Sequence, residues 1–197
     1  MDDLFPATSM PDRDWWAALW PRPAEVLTDL GIQPHMTVLD LCCGDGYFTA
    51  PLARLVDGRV YALDFDAEMI EQAKTEVERL GGTVRQWIEA DARKIASLLP
   101  GPVDYVLMAN TFHGVPDKPD LALAVRHILR PGGWFAIVNW HPIPREQTVV
   151  LDQPRGPRTE MRMSPDAVQR IVEPAGFGTV RIQELPPYHY GIILERG

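Results

Sequence analysis

Two glycines and two acidic residues lie together at the end of a short, mostly apolar run near the start of the chain. The apolar run covers residues 38–41, and Gly44 and Gly46 follow it. A run this short that ends at glycines is typical of a buried parallel strand leading into a tight turn. When a helix follows such a turn, its backbone N–H groups approach a ligand. Asp40 and Asp45 add negative charge, so the pattern favours a ligand with positive charge and disfavours a pyrophosphate.

The turn does not complete a dinucleotide-binding fingerprint, because Thr49 occupies the position of the third glycine. A second apolar run, residues 60–64, ends at Asp64, which lies 24 residues after Asp40. An acid about 20 residues after such a turn is typical of ribose binding in a nucleoside-binding βαβ unit. A helix is predicted from Asp66, its N-cap, to the glycines at 81–82.

Two more predicted strands end in polar residues. Residues 84–89 lead to Asp91, and residues 103–109 lead to the segment 110–113, Asn-Thr-Phe-His. In a doubly wound sheet the ligand lies beyond the carboxyl ends of the strands. We therefore expect these polar residues to share one crevice with the glycine turn.

Together these features resemble the class I S-adenosylmethionine-dependent methyltransferases. The resemblance covers nearly the whole chain from Met36 onward. It rests on Asp40-x-x-x-Gly44-x-Gly46, on Asp64, and on the segment 129–133, Leu-Arg-Pro-Gly-Gly, before an apolar strand. It implies an α/β, Rossmann-like fold: a seven-stranded, mostly parallel sheet with helices on both faces and one antiparallel strand.

The resemblance also implies S-adenosylmethionine as the cofactor. The expected contacts are Asp40, Cys42, Gly44, Asp45, Gly46, Asp64, Phe65, Met69, Asp91, Ala92, Asn110 and Thr111. Phe65 and Met69 are candidates to pack on the adenine, with a role in the core as the alternative. Asp91 matches the acid that faces the adenine amino group, with a turn or cap residue as the alternative.

The implied reaction is an in-line displacement, in which the protein supplies positioning and excludes water. An acceptor that starts protonated needs a base. His113 is the first candidate, because the reference pKa of histidine lies near neutrality, and His141 and Tyr188 follow. A thiolate acceptor needs no base, and a structural hydrogen-bonding role is the alternative for His113.

Two regions are candidates for binding the acceptor beside His113. Trp15, Trp16 and Trp20 are half of the six tryptophans and form either a lid over the crevice or a cover for the sheet edge. The proline- and arginine-rich segment 140–163 follows a strand end, and Arg158 is its candidate for an anionic group. Solvated loop charges are the alternative for this arginine.

Length and composition favour one domain of 197 residues, with an N-terminal helical cap at 1–35 and the methyltransferase domain at 36–197. A net charge of −8 argues against a nucleic-acid surface. The only cysteines, Cys42 and Cys43, are adjacent, which excludes a disulfide framework and favours the cytoplasm. The chain has no predicted signal peptide, membrane span or metal site.

The expected acceptor is a small molecule. Many methyltransferases of amines and nucleic-acid bases carry Asn/Asp-Pro-Pro-Tyr after the fourth strand, and this chain has residues 110–113 there instead. A protein or RNA acceptor remains an alternative, as does a protein that binds S-adenosylmethionine without turnover. Metalloid chemistry at Cys42 and Cys43 is disfavoured, because both lie inside one loop.

Overall fold

The computed structural model of the chain describes residues 13–197. The first twelve residues of the predicted N-terminal cap lie outside the described residues. Six α-helices are present in the described part: α1 Arg13–Leu19, α2 Pro23–Asp29, α3 Thr49–Leu55, α4 Ala67–Arg79, α5 Lys118–Ile128 and α6 Pro165–Val172. Single 3₁₀ turns cover Ala92–Ser97, Phe112–Gly114, Arg145–Gln147, Thr159–Met161 and Glu173–Ala175.

Seven strands form the main sheet, and a short hairpin forms a second one. The strands are β1 Val38–Leu41, β2 Val60–Asp64, β3 Gln86–Glu89, β4 Val103–Ala109, β5 Leu129–Trp140, the hairpin pair β6 Val149–Val150 and β7 Gln153–Pro154, β8 Phe177–Leu185 and β9 His189–Arg196. The main sheet has the order β3-β2-β1-β4-β5-β9-β8. In the main sheet β9 runs opposite to the other six strands, so the predicted fold class is confirmed.

Helices cover both faces of this sheet. Side chains of α5 and α6 pack on one face with alternate residues of the central strands. Side chains of α1, α2 and α3 pack on the other face. The four residues of β1 and the five of β2 are all buried, as expected for parallel strands covered on both sides.

Capping side chains set the starts of α4 and α6. Asp66 accepts hydrogen bonds from two amides of α4, and Ser164 accepts one from Ala167 at the start of α6. β5 begins at Leu129, whereas the sequence predicts an apolar strand only after the segment 129–133. Leu129 pairs with Val103, and the register then shifts before Trp134, so the Pro-Gly-Gly segment becomes an irregularity inside the strand.

Within residues 13–197, no helix combines the length and apolar character needed to cross a membrane.

Candidate active site

The ends of two adjacent strands turn sharply at one crevice. β1 lies between β2 and β4, so the chain reverses its direction of winding between β1 and β4. Cys42 after β1 has φ 65° and Asn110 after β4 has φ 57°. Residues other than glycine seldom occupy this left-handed region, and when they do they cluster at functional sites. The crevice is therefore where a doubly wound sheet binds its ligand.

The glycine turn is clamped on two sides. The amide of Gly44 donates to Oδ2 of Asp64 at 2.8 Å, and the amide of Cys43 donates to the carbonyl of Leu63 at 2.9 Å. Gly46 has φ 82°, and a Cβ added there would lie 2.7 Å from Cα of Ala73 in α4. The turn therefore approaches α4 more closely than any side chain at position 46 allows.

Two buried acids lie beside this turn without a cation. Asp40 is 2% exposed and accepts a hydrogen bond of 2.6 Å from Oγ1 of Thr49. Burial raises the pKa of Asp40 to about 7, opposed by the Thr49 hydrogen bond. Burial also raises the pKa of Asp64, opposed by hydrogen bonds from backbone amides such as that of Gly44. Neither carboxylate forms an ion pair with a residue in 13–197, so a positively charged ligand would stabilise both.

Asp45 has a different environment, because α1 supplies its countercharge. Nε of Arg13 lies 2.9 Å from Oδ2 of Asp45, and the same guanidinium lies 2.7 Å from Glu76 of α4. The other oxygen of Asp45 accepts from the amide of Tyr47. The preference of the crevice for positive charge thus rests on Asp40 and Asp64, and Asp45 ties the turn to α1.

The residues expected around the adenine differ in exposure. Phe65, directly after Asp64, is 41% exposed, which rules out the alternative that it is a core residue. Met69 is half-buried in the first turn of α4. An exposed aromatic ring next to a strand-end acid is a suitable surface for stacking a flat base.

Asp91 already has a partner on its own loop. It accepts from the amide of Arg93 and forms an ion pair with its guanidinium at 2.5 Å, which lowers the pKa of Asp91. It caps the 3₁₀ turn that begins at the buried Ala92, as the alternative interpretation predicted.

His113 is buried, and one of its ring nitrogens has no partner among the described residues. Its Nδ1 lies 3.4 Å from Oδ1 of Asn139, and its Nε2 has no hydrogen-bond partner among the described residues. Oδ1 of Asn110 and Nδ2 of Asn139 likewise lack partners in residues 13–197. Burial lowers the pKa of His113, so the imidazole is neutral at pH 7 and can accept a proton. Thr111 donates to the carbonyl of Ala109.

The other predicted catalytic and substrate-binding groups make contacts of their own. Nε2 of His141 lies 2.9 Å from a carboxylate oxygen of Glu184. The hydroxyl of Tyr188 donates to the carbonyl of Val149 at 3.0 Å. Arg158 is exposed. The structure thus gives His141 and Tyr188 structural partners, and their roles as bases stay predictions.

Sequence reasoning missed an aromatic cluster that surrounds His189. We define the aromatic box as Trp15, Trp16, Trp20, Trp140, Tyr188 and His189. The ring of His189 lies 4.0 Å from that of Trp140 and 4.6 Å from that of Trp20, centroid to centroid. The box joins α1 to the hairpin of β8 and β9. Its residues are far apart in the sequence, and Trp140 meets His189 because β5 pairs with β9.

Arg162 was also missed, and it organises the segment 140–163. It is 7% exposed, and its guanidinium lies 4.9 Å from the ring centroid of Trp140. It donates to the carbonyls of Ile143, Arg155 and Pro157 and to Oγ1 of Thr148. The buried arginine of the segment therefore braces the loop over the aromatic box.

Comparison with known proteins finds similarity to methyltransferases. Residues 38–133 match a family model described as a methyltransferase domain. The 2-phytyl-1,4-naphtoquinone methyltransferase of Trichormus variabilis is 32% identical over 126 residues, covering 62% of this chain and 55% of that protein. The demethylmenaquinone methyltransferase of Bacillus mycoides is 31% identical, covering 55% of this chain and 46% of that protein. The chain spans about half the length of these curated relatives.

Solved structures agree on the architecture. A SAM dependent methyltransferase from Aquifex aeolicus superposes with a TM-score of 0.76 and 26% identity over 94% of both chains. The magnesium protoporphyrin IX methyltransferase of Synechocystis, solved with bound SAM, gives a TM-score of 0.68 at 15% identity, covering 96% of this chain and 87% of that one. The second likeness shows the shared fold alone.

Proposed function

Since the chain belongs to the class I S-adenosylmethionine-dependent methyltransferases, we propose that it methylates a small molecule by in-line transfer from S-adenosylmethionine. The observation on which we rest this is a pair of buried acids beside the clamped glycine turn, Asp40 and Asp64, neither of which forms an ion pair within residues 13–197. S-adenosylmethionine has an ammonium, a sulfonium and no phosphate, so its charge fits these acids.

The residues at the crevice fit the rest of the cofactor. Asp64 would hold the ribose, Phe65 would pack on the adenine, and the backbone at Gly44 and Asn110 would hold the methionine part. When bound, S-adenosylmethionine supplies an activated methyl group and leaves as S-adenosylhomocysteine. The contribution of the chain is to align the acceptor and to exclude water.

His113 is the base that this proposal favours. Nε2 of its neutral imidazole has no hydrogen-bond partner in the described part of the chain, and the other ring nitrogen lies 3.4 Å from Oδ1 of Asn139. An acceptor hydroxyl that donates to Nε2 would lose its proton there as it attacks. His141 and Tyr188 are weaker candidates, because both are engaged with other groups.

Three observations support a small-molecule acceptor. The relatives named above are quinone methyltransferases. The chain has a net charge of −8, which opposes binding to RNA. The aromatic box lies next to the glycine turn, where flat apolar molecules would stack. We also propose a cytoplasmic location, in line with two free cysteines.

Release of S-adenosylhomocysteine, measured with a panel of hydroxylated, amino and thiol acceptors, tests this proposal. We expect release with at least one hydroxylated small molecule and none with RNA or unfolded protein. Cofactor binding without release for any acceptor would instead indicate a non-catalytic binder.

A further inference from the structure

His189 is a buried polar side chain surrounded by aromatic rings. It is 1% exposed, and neither ring nitrogen has a hydrogen-bond partner within the described chain. A buried, unpaired polar group costs folding free energy, and such groups are uncommon in native proteins. An apolar residue would fill this place at less cost, so the two unpaired nitrogens call for a functional explanation.

The aromatic box around His189 adjoins the expected cofactor turn. His189 pairs with Trp140 across β5 and β9, at the carboxyl end of β5. From α1, Trp16 lies 6.4 Å from the ring of Tyr47, and just beyond the helix Trp20 lies 5.7 Å from that of Phe48. The hydroxyl of Tyr47 also donates to the carbonyls of both tryptophans. The rings of Trp16 and Trp20 therefore lie between the imidazole of His189 and the segment that follows Gly46.

The first helix covers His189 and has few polar attachments. Arg13 binds Asp45 and Glu76, and Nε1 of Trp20 donates to the carbonyl of Pro186 at 3.2 Å. The hydroxyl of Tyr47 donates to the carbonyls of Trp16 and Trp20. The tryptophan rings of the cover stack on one another, with Trp15 and Trp16 4.6 Å apart and Trp16 and Trp20 5.5 Å apart. A flat ligand can replace one stacked ring with another at little cost in buried apolar area.

We propose that His189 is the hydrogen-bonding anchor of the acceptor subsite, which takes a planar aromatic molecule with a hydroxyl group in the place of the Trp20 ring. This inference rests on the proposed function and adds to it the acceptor class and the residue that selects it. His189 is a specificity residue here, and His113 remains the favoured base.

The chemistry of the box favours a neutral hydroxyl over a charged group. Burial lowers the pKa of His189 well below its ordinary value, and the nearby Arg162 acts in the same direction. A neutral imidazole offers one N–H donor and one acceptor nitrogen, which matches a hydroxyl group. No carboxylate within residues 13–197 pairs with His189, so nothing in the box would neutralise a cationic acceptor other than the ring faces.

The test compares His189→Leu with His189→Gln, which are of similar size but differ in polarity. Binding of 2-naphthol, naphthalene and the non-planar 2-decalol is measured by calorimetry, with and without S-adenosylhomocysteine. Unfolding temperatures are measured in parallel. His127→Leu serves as the control, because His127 is exposed in the last turn of α5 on the other face of the sheet.

We expect the wild-type chain to bind 2-naphthol roughly 3- to 10-fold more tightly than naphthalene, the effect of one hydrogen bond, and to bind 2-decalol most weakly. The preference for the hydroxyl should vanish in His189→Leu, persist in His189→Gln and be unchanged in His127→Leu. The variant that loses the preference for the hydroxyl should be the more stable one. His189→Leu should unfold at a higher temperature than His189→Gln, because leucine leaves no unpaired polar atom.

The inference is overturned if wild type binds 2-naphthol and naphthalene alike, or if His189→Leu keeps the preference. It is also overturned if His189→Leu is less stable than His189→Gln or does not fold, because the imidazole then has an internal partner. Failure of the wild type to bind S-adenosylhomocysteine would instead contradict the proposed function. Cofactor binding with no preference among the probes would contradict only the role of His189.

Discussion

The backbone amide of Gly44 donates a hydrogen bond of 2.8 Å to the carboxylate of Asp64. This contact joins the end of β2 to the turn after β1, so the acid expected to hold the ribose also fixes the loop expected to hold the methionine part. The amide of Asp66, the N-cap of α4, donates to the other oxygen of Asp64 at 3.1 Å. One carboxylate therefore sets the relative position of two strand ends and a helix start.

Asp40 should make the stability of the chain depend on pH. Its pKa of about 7 in the folded chain is above that of an unfolded aspartate, so the folded state holds its proton more tightly. This stabilisation, about 4 kcal/mol, is complete below about pH 4 and is lost as the pH rises through 7. The Asp40→Asn variant has no carboxylate at this position to ionise. Its free energy of unfolding in urea, relative to that of wild type, should therefore increase from pH 4 to pH 8. An advantage that is constant with pH would contradict the raised pKa.

Gly46→Ala should destabilise the chain through a steric clash as well as through backbone strain. The matched control is Gly81→Ala, because Gly81 has φ 69° but no atom within 4 Å of an added Cβ. In both variants alanine must adopt the left-handed conformation, which lowers the free energy of unfolding by about 1 kcal/mol or more. Only Gly46→Ala meets the backbone of Ala73, so its loss of unfolding free energy should exceed that of the control by at least 1–2 kcal/mol. Equal losses of unfolding free energy in the two variants would show that α4 moves to accommodate the added Cβ.

Arg13→Met should loosen α1 from the glycine turn. Methionine keeps the apolar stem but leaves the buried carboxylate of Asp45 without its cation, which is costly. We expect acrylamide to quench the fluorescence of the tryptophans in α1 more strongly in this variant. Arg22→Met removes an exposed ion pair with Glu25 and should have no such effect. Quenching equal to that of wild type would show that ring stacking alone holds α1.

His113→Gln should lower kcat about 100-fold or more with a hydroxyl acceptor and have little effect with a thiolate acceptor, which needs no base. With a hydroxyl acceptor, the wild-type rate should fall as the pH drops through the lowered pKa of His113, because protonation removes the base. The glutamine variant should lack this fall. A similar loss of rate with both kinds of acceptor would indicate that His113 only maintains the structure.

The parts of the fold that the sequence predicts are those fixed by local physical chemistry. The strand at 103–109 has the predicted bounds, because its nearly continuous apolar run suits a strand that is buried on both faces. Asp66 begins its helix as predicted, because the capping contacts span only two or three residues. The start of β5 differs, because pairing of Leu129 with Val103 extends the strand across a segment that locally resembles a helix stop.

The contacts of the site depended on distant pairings that no local pattern encodes. The bond between Thr49 and Asp40 spans a turn, and the ion pair of Asp45 with Arg13 depends on where α1 packs. The sequence does not place His189, because the connection in which it follows Pro186 and Pro187 is positioned only by the pairing of β9 with β5. The residues nearest the glycines were thus predictable, and those of the acceptor side were not.

Calorimetric titration of S-adenosylhomocysteine into the wild-type chain, Gly44→Val and Asp64→Ala tests the central claim most directly. Valine at position 44 would have to adopt φ 53° in the turn, and alanine at position 64 removes the carboxylate that fixes it. We predict one site per chain in wild type and a loss of affinity of at least tenfold in each variant, with Asp117→Ala, which removes only the exposed N-cap of α5, binding as wild type does. Absence of binding to the wild-type chain, or undiminished binding to both variants, would contradict the assignment of the cofactor site.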